Sequence, residues 1–306
     1  MVNRIRKAIT KHGFKGTLLI LANKLISMLS HVYGSGIVAI RSHTAVQDMM
    51  LLKVQNRPMV VSLKDVGISR ELLLHGIHEA ASTQELLNIL RPGMVIVEIG
   101  ANIGYYCLVA LNVMGRQGRI YAFEPSEENM RLLRTNVAIN DLEGFITTIP
   151  KAVGNINGQQ SFYIMSKRNM SSFLKREEDN IIKVVDTVSV ETVRLDDYFK
   201  DIEKSIDFVR MDVEGYEFEV INGMKGILQS RNHPSGLFIE VHSHLLNGVG
   251  SSCRKFVETL IGYGYAVKVA RYRGRSDITA NSATTLLEHP LAEEGYWEVF
   301  FQSERS

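Results

Sequence analysis

The amino-acid sequence predicts an α/β protein built on a doubly wound, mostly parallel sheet of seven strands, with a helical extension at its N-terminus. One observation is the short apolar run Met-Val-Ile-Val at residues 94–97, which is rich in β-branched residues and typical of a strand buried on both faces. A second is the alternation of helix-like and strand-like segments over residues 105–150. Such alternation favours parallel strands joined by right-handed helical crossovers.

The individual elements follow from local patterns of apolar and turn-forming residues. Apolar residues at helical spacing predict helices over residues 68–77 and 83–90, and Arg-Pro-Gly at 91–93 marks the turn into the first strand. The next predicted elements are a helix over 105–113, a strand over 119–123, a helix over 126–140 and a strand over 145–150. Later strands are predicted over 206–211, 236–241, 265–269 and 297–301, with a helix beginning near Gly215.

Length and composition limit the domain organisation. The chain has 306 residues, of which 45% are hydrophobic and 22% charged, as in an ordinary folded protein. We therefore expect a basic helical extension at residues 1–58 and one α/β domain at residues 59–306. Residues 159–193, where short strand-like pieces flank a charged polar segment, are expected to form an insertion or lid.

The charge is distributed unevenly along the chain. Residues 1–47 contain Lys and Arg but no Asp or Glu, whereas the net charge of the whole chain is only +2. Apolar residues at helical spacing in this segment predict a helix that either packs on a core or makes peripheral contact with an anionic membrane. Its apolar run is too short to span a bilayer. A net charge this close to zero argues against broad nucleic-acid binding.

The two cysteines, Cys107 and Cys253, do not occur at metal-binding or disulfide-framework spacings. We therefore expect a reducing compartment and a cytoplasmic protein, associated with a membrane only through its basic N-terminus.

The segment Val-Glu-Ile-Gly-Ala-Asn-Ile-Gly-Tyr-Tyr at residues 97–106 places small residues where a strand turns into a helix. Dinucleotide-binding proteins use Gly-x-Gly-x-x-Gly at such a turn, and its second glycine lets the backbone approach a pyrophosphate. Here that position is Asn102, and the third glycine, Gly104, comes one residue early. The pattern therefore disfavours a ligand with a diphosphate.

Two acidic residues favour a cationic ligand at the same turn. Glu98 precedes Gly100, and Glu124 ends the next predicted strand about twenty residues beyond Gly104, a spacing that suits hydrogen bonds to ribose hydroxyls. S-adenosylmethionine carries a positive sulfur and an ammonium group and has no phosphate, so it matches these carboxylates electrostatically. The other interpretation of Glu124 is a helix N-terminal charge.

Polar residues also follow two later strands. Asp212 ends the apolar strand that begins near residue 206, and ligands of open α/β sheets bind at this edge. Asp212 could contact the donor's amino group, orient an acceptor hydroxyl or help to hold a divalent metal, although no metal is otherwise indicated. In the next strand, Glu240 and His242 share one face, and histidine has a pKa suited to a base. The alternative for His242 is a solvated or hydrogen-bonded side chain without a catalytic role.

Together these segments resemble the FkbM-type methyltransferase family, within the class I fold of S-adenosylmethionine-dependent enzymes. The matching pieces are VEIGANIGYY at 97–106, YAFEPSEEN at 121–129, VRLDDY at 193–198, DVEGYEFEVING at 212–223 and IEVH at 239–242. The resemblance implies donor contacts in the glycine turn, at the end of the second strand and, near the adenine, after the third strand. These residues are Glu98, Gly100, Asn102, Gly104, Tyr105, Glu124 and Ala152.

We therefore expect an enzyme that transfers a methyl group from S-adenosylmethionine to a hydroxyl of a small-molecule, glycan or lipid-linked acceptor, with His242, Asp212 and Glu240 as the catalytic residues. One alternative is a nicotinamide-dependent oxidoreductase. Another is a nucleotide-binding or membrane-surface module without catalysis. The sequence leaves open the acceptor, the methylated atom, the metal requirement, the oligomeric state and the role of the N-terminal extension.

Overall fold

A computed structural model of the chain describes residues 48–167, 170–175, 183–202, 205–248, 250–273 and 278–305. The chain divides into two compact units, one ending at His78 and the other beginning at Glu79. The predicted basic N-terminal helix lies outside the described residues, so its packing or membrane contact stays a prediction. Within the described parts of the chain, no helix is both long and apolar enough to cross a bilayer.

The described part of the first unit begins with a β-hairpin. Strands β1 (Met49–Val54) and β2 (Arg57–Ser62) pair in antiparallel fashion. The turn residues Gln55 and Asn56 both have positive φ, as the tight turn of a hairpin requires. The predicted domain boundary between residues 58 and 59 falls inside β2, and the compact units instead divide at 78/79.

Helix α1 (Ile68–His75) completes this part of the chain and confirms the helix predicted over residues 68–77. The carboxylate of Asp65 accepts hydrogen bonds from the backbone N–H groups of Gly67 and Ser69, which would otherwise lack partners at the start of the helix. The helix ends at Gly76, which adopts the left-handed conformation that glycine favours.

The second unit contains the predicted alternation of helices and strands. Its first elements are α2 (Ala80–Ile89), β3 (Val95–Ile99), α3 (Tyr105–Met114), β4 (Arg119–Phe123), α4 (Glu127–Ala138) and β5 (Ile146–Ile149). The elements that follow are β6 (Ala152–Val153), β7 (Gly158–Met165), β8 (Val184–Val193), α5 (Leu195–Tyr198), β9 (Phe208–Met211), α6 (Glu217–Asn222) and α7 (Lys225–Gln229). The last elements are β10 (Gly236–His242), α8 (Ser243–Gly248), α9 (Cys253–Gly262), β11 (Tyr265–Tyr272), β12 (Thr279–Ala280), α10 (Ala283–Leu287) and β13 (Tyr296–Ser303).

The main sheet has eight described strands in the order β12-β11-β13-β10-β9-β3-β4-β5, so the predicted α/β class is confirmed and the predicted count of seven strands is corrected. Five neighbouring strands of this sheet, β10, β9, β3, β4 and β5, are parallel to one another. Strand β13 pairs antiparallel with both β10 and β11. The additional strand is β12, whose two residues pair with β11. Two residues are too few to produce a recognisable strand pattern in the sequence.

Residues 152–193 contain a second, smaller sheet of three strands. Strands β7 and β8 form a long antiparallel pair, and β6 runs parallel to β8. The predicted strand-like pieces at 161–164 and 187–192 lie inside these longer strands. Phe162 and Val190 pack with Ala152 in a small apolar cluster. Half of the charged segment at 167–180 lies outside the described residues, and the role of the segment as a lid stays a prediction.

Apolar side chains on both faces of the main sheet form the core. The strand predicted over residues 119–123 has the same bounds in the structure, and the strand predicted over residues 206–211 begins only at Phe208. The later start follows from Asp207, whose side chain accepts a hydrogen bond of 2.7 Å from the backbone N–H of Val95 at the start of β3. This bond holds the starts of two neighbouring parallel strands together.

The backbone approaches itself closely where α6 passes the end of β6. A Cβ atom on Gly223 would lie 1.8 Å from the carbonyl oxygen of Gly154. Only a residue without a Cβ atom can occupy this position without moving the backbone.

Gly223→Ala should therefore destabilise the second unit by about 1–3 kcal/mol, because overpacking forces backbone shifts. Urea unfolding followed by the fluorescence of Trp297, which is fully buried and is the single tryptophan of the chain, measures the change. Gly144→Ala is the matched control, since a Cβ atom there would meet nothing within 4 Å. Equal unfolding midpoints for the two variants would contradict the close approach.

Candidate functional site

An open cleft lies at the carboxyl ends of β3, β4 and β9, where the chain crosses from one side of β3 to the other. Ligands of doubly wound sheets bind at this switch point. The empty volume of the cleft, including its mouth, is about 620 Å³. The polar or glycine residues in its wall are Gly100, Asn102, Glu124, Ser126, Asn129, Lys151, Ser171, Asp212 and Glu214.

The turn after β3 has the close contacts that its glycines predict. Gly100 has a φ of +80°, and a Cβ atom there would lie 1.9 Å from the backbone oxygen of Asp212. The backbone N–H groups of Gly100 and Ala101 both donate to the oxygen of Phe123 at the end of β4. Asn102 also has a positive φ, which asparagine tolerates better than most residues. The turn is thus fixed against the ends of both neighbouring strands.

Glu124 connects this turn to the next helix. One carboxylate oxygen accepts the backbone N–H of Asn102 at 2.8 Å, and the other accepts that of Ser126 at 2.9 Å. Asn129 donates a longer side-chain hydrogen bond of 3.4 Å. Burial raises the pKa of Glu124 to about 7, although these hydrogen bonds oppose the rise. The predicted ribose contact stays a prediction, and the structure places Glu124 in the cleft wall.

Glu98 occupies a different position from the one predicted. Its side chain is almost fully buried and accepts a hydrogen bond of 2.8 Å from the guanidinium of Arg210. Burial raises the pKa of Glu98, while Arg210 opposes the rise. Glu98 is not among the described residues that line the cleft. Its charge is therefore balanced by an arginine in the neighbouring strand β9, which the sequence motif did not reveal.

Gly104 and Tyr105, also predicted to contact a donor, have packing roles. A Cβ atom on Gly104 would lie 2.5 Å from a methyl group of Leu133. The Tyr105 side chain is buried, and its hydroxyl forms a hydrogen bond of 3.1 Å with the hydroxyl of Thr83 in α2. These two residues fix the start of α3, and neither belongs to the described lining of the cleft.

The cleft has a negatively charged side and an aromatic side. Glu124, Asp212 and Glu214 supply carboxyl groups, and Lys151 is the cation among the described lining residues. These carboxyl groups favour a cationic ligand. The sequence analysis expected Glu98 to supply one of them, whereas in the structure Asp212 and Glu214 line the cleft.

The aromatic side of the cleft is formed partly by the small sheet. The rings of Phe162 and Phe173 meet edge to face, with their centroids 5.3 Å apart. The ring centroids of Phe173 and Tyr216 are 4.4 Å apart. Ala152, predicted to lie near an adenine, does line the cleft beside these rings. Small apolar and aromatic surfaces together can hold a flat heterocycle. Phe162, Phe173 and Tyr216 were missed because they come from three separate segments.

The loop after β9 holds Glu214 in an unusual backbone conformation. Its φ is +53°, and the next residue, Gly215, also has a positive φ. The hydroxyl of Ser172 donates to the backbone oxygen of Glu214 at 2.8 Å. A left-handed glutamate costs free energy, and such strain is common where a side chain must be directed into a site. The strain is accordingly consistent with a functional role for Glu214.

His242 is fully buried among carboxylates. Its Nδ1 lies 2.5 Å from Glu217, while its Nε2 lies 3.4 Å from Glu214 and 3.7 Å from Glu240. Burial alone would lower the pKa of His242, but Glu214 and Glu217 outweigh it and raise the pKa well above the usual value. A protonated imidazole cannot accept a proton. This environment therefore favours a positioning role for His242 over the predicted role as base.

A network of charges extends from His242 to α2. The guanidinium of Arg273 contacts both Glu240 and Glu79. Tyr106 donates a hydrogen bond of 2.7 Å to Glu79. The guanidinium carbon of Arg210 lies 3.9 Å from the centroid of the Tyr106 ring, within reach of a cation–π interaction. Glu240, predicted to be catalytic, is therefore part of a buried network behind the cleft.

Two residues of this network carried a sequence signal that was not used. Arg210 interrupts the otherwise apolar strand Phe208–Met211, and a buried arginine requires a carboxylate partner. Glu217 lies in the first turn of α6, where a charged side chain is common, yet its side chain is fully buried and accepts the backbone N–H of Gly215 at 3.0 Å. Arg273 and Glu79 have no local signal, because they meet only through the fold.

A mixed sheet with its cleft at the switch point is the architecture of a Rossmann-like α/β protein, the class that includes the class I methyltransferases. Residues 98–267, more than half of the chain, match the family model described as the methyltransferase FkbM domain. The chain belongs to this family.

Two curated relatives and one solved structure are similar to the chain. NoeI of Sinorhizobium fredii, a 2-O-methyltransferase, is 30% identical over 158 residues, which cover 47% of this chain and 63% of NoeI. AglP of Haloferax volcanii, a hexuronic acid methyltransferase, is 23% identical over 159 residues, covering 52% of this chain and 60% of AglP. The crystal structure of methyltransferase FkbM from Methylobacillus flagellatus KT is 12% identical with a TM-score of 0.43, covering 76% of this chain and 52% of that one.

The matched part therefore amounts to less than two thirds of the length of either curated relative. Family membership follows from the match over residues 98–267 and not from the structural similarity.

The raised pKa of Glu124 has a consequence for stability. Between its ordinary pKa of 4.5 and its folded value of about 7, the folded chain holds a proton that the unfolded chain has released. The free energy of unfolding should therefore fall as the pH rises through this range, by about 3 kcal/mol at most. Asp212 is the neighbouring charge that adds to the rise in pKa.

Glu124→Gln removes this titration, so its stability relative to the wild type should improve from about pH 5 to about pH 8. Urea midpoints measured by Trp297 fluorescence at both pH values test the difference. Glu127→Gln, at an exposed position in the first turn of α4, should follow the wild-type profile. Parallel profiles for Glu124→Gln and the wild type would refute the raised pKa.

Proposed function

We propose that the chain is an S-adenosylmethionine-dependent O-methyltransferase that acts on a hydroxyl group of a carbohydrate-containing acceptor, whether a small molecule, a glycan or a lipid-linked sugar. The observation that carries this proposal is the switch-point cleft, in which Glu124, Asp212 and Glu214 supply carboxyl groups beside a glycine turn. Membership in the FkbM methyltransferase family supports it.

The residues of the cleft fit this donor. Glu124 in the cleft wall would accept hydrogen bonds from ribose hydroxyls, and Ala152 with Phe162 would offer an apolar surface to the adenine. Asp212 and Glu214 give the cationic end of the donor a favourable electrostatic environment.

The nicotinamide-dependent oxidoreductase is disfavoured by the same geometry. A pyrophosphate needs a close approach of the backbone at the second glycine of the turn, and that position is Asn102. A diphosphate would also lie beside the carboxyl groups of Glu124, Asp212 and Glu214 and would be repelled.

The chemistry requires positioning and the removal of one proton. When bound, the donor supplies a methyl group that the acceptor oxygen attacks, and the carbon–sulfur bond breaks with its electron pair on sulfur. The acceptor oxygen must lose its proton, and the carboxylates of Asp212 and Glu214, which line the cleft, are the groups that we expect to accept it. The buried His242 imidazolium holds Glu214 and Glu217 in place. Most of the acceleration would come from holding the two reactants in line.

The class of acceptor is inferred from the relatives and from a second cleft. AglP is named for a hexuronic acid, which points to a carbohydrate acceptor, and NoeI is named for 2-O-methylation, which points to a hydroxyl group. An open cleft of about 860 Å³ shares Tyr216 with the first cleft. Its wall includes Phe218, Glu219, Asn222 and Lys255. Aromatic faces beside amide and charged groups suit the apolar faces and hydroxyls of a sugar ring.

Titration calorimetry should show that the protein binds S-adenosylmethionine and does not bind NAD. Glu124→Ala should weaken donor binding about tenfold or more, because hydrogen bonds to a charged acceptor are lost. The matched control is Glu127→Ala, three residues away and exposed, which should bind like the wild type. Uptake of NAD with no binding of the donor would exclude the proposed function.

The rate of methyl transfer tests which carboxylate accepts the proton of the acceptor hydroxyl. With labelled donor at saturating concentration and an acceptor found by screening glycans and glycolipids, loss of the carboxylate that takes the proton should lower kcat by about a hundredfold or more. Asp212→Asn and Glu214→Gln are the two variants to compare, and the exposed Glu143→Gln is the control. Wild-type turnover in both variants would remove these carboxylates from the mechanism.

A further inference from the structure

Three side chains at and behind the wall of the switch-point cleft lie close to one another. One carboxylate oxygen of Asp212, one of Glu240 and one ring nitrogen of His242 all lie within 4.8 Å of one another. They come from the ends of β9 and β10, which are adjacent parallel strands. Asp212 also lines the cleft, so this cluster borders the place proposed for methyl transfer.

Each of the three side chains has an atom that lacks a hydrogen-bond partner among the described residues. These atoms are Oδ1 of Asp212, Oε2 of Glu240 and Nε2 of His242. Glu240 is 4% exposed and His242 is fully buried, so water does not compensate for the missing partners. A buried polar atom without a partner costs free energy, and such atoms on three side chains of one cluster suggest a missing ligand.

The charges around the cluster indicate what that ligand is. The described network contains more carboxyl groups than cationic side chains. The carboxyl groups are those of Glu79, Glu98, Asp212, Glu214, Glu217, Glu240 and Glu298. The guanidinium groups are those of Arg210 and Arg273. Even a protonated His242 leaves a buried excess of negative charge, which is costly unless protons or a cation compensate it.

We propose that Asp212, Glu240 and His242 form a binding site for one divalent transition-metal cation. Two carboxylates and an imidazole are a donor set that suits Mn²⁺, Fe²⁺ or Zn²⁺ better than Mg²⁺ or Ca²⁺, because imidazole is a softer ligand than oxygen. The cation would replace the proton on Nε2 of His242, since only a neutral imidazole binds a metal, and Nδ1 would keep its contact with Glu217. Three atoms bound about 2.2 Å from one cation lie about 3–4 Å from one another, so the side chains need to close by up to about one ångström.

The site has a consequence that rests on the proposed function. A cation at Asp212 would lie beside the donor cleft, where it could bind the acceptor oxygen and lower the pKa of its hydroxyl. The carboxylate of Asp212 would then be a metal ligand, which leaves Glu214 as the group that accepts the proton. The metal site itself does not depend on methyl transfer and can be tested without donor or acceptor.

Titration of the chelator-treated full chain with Mn²⁺ alone, followed by electron paramagnetic resonance, should show one tightly bound ion. Pulsed measurements on the wild-type complex should show coupling of the ion to a histidine nitrogen. Because this readout uses the unaltered protein, it does not depend on whether a variant folds. Either no bound Mn²⁺ or bound Mn²⁺ without nitrogen coupling would overturn the proposal.

Variants then locate the ion. Asp212→Asn and Glu240→Gln retain the shapes of the side chains, and each should weaken Mn²⁺ binding about tenfold or more. Asp141→Asn changes an exposed carboxylate outside the cluster and should bind Mn²⁺ like the wild type. Unchanged affinity in both cluster variants would place the ion elsewhere and overturn the assignment. Absence of methyl transfer with intact Mn²⁺ binding would instead count against the proposed function alone.

Discussion

The buried ion pair between Arg210 and Glu98 is the interaction on which the rest of the site depends. It joins the middle of β9 to the middle of β3, the two strands that flank the switch point. Arg210 also lies 3.4 Å from Asp212 and covers the Tyr106 ring. Removing either partner would leave an uncompensated charge in the core, which is strongly destabilising. The pair thus fixes the distance and register at which the strands deliver their terminal residues to the cleft.

The polar groups of this fold form two layers with different tasks. Residues in the cleft wall, such as Glu124 and Glu214, are placed where a ligand can reach them. Residues behind the wall, such as His242 and Glu217, are fully buried and contact the wall residues or their backbone. A charged group in the wall keeps a defined position only when its neighbours are held as firmly. The buried layer therefore explains why so many ionisable groups lie beneath one cleft.

The sequence predicted the position of polar residues best where they follow the ends of parallel strands. Glu124 and Asp212 could be placed at one edge because each ends a strand of a parallel sheet, and parallel strands end at the same edge. The conformation of Gly100 follows from a strand that turns directly into a helix. The side chains of Glu98 and Tyr105 belong to the same motif but are buried, and their predicted donor contacts stay predictions. Motif membership fixes the backbone path, whereas the direction of a side chain depends on what packs against it.

The sequence by itself determined the α/β class, the alternation of the central strands and helices, and the glycine turn, because these depend on local periodicity and on short-range turn chemistry. Only the tertiary structure decided that Glu98 is neutralised by Arg210, that His242 lies among carboxylates, and that Arg273 connects Glu79 to Glu240. Those residues are distant along the chain, and burial with its low dielectric constant sets the strength of their interactions. The charge state of a side chain is therefore a property of the folded environment, which no local pattern encodes.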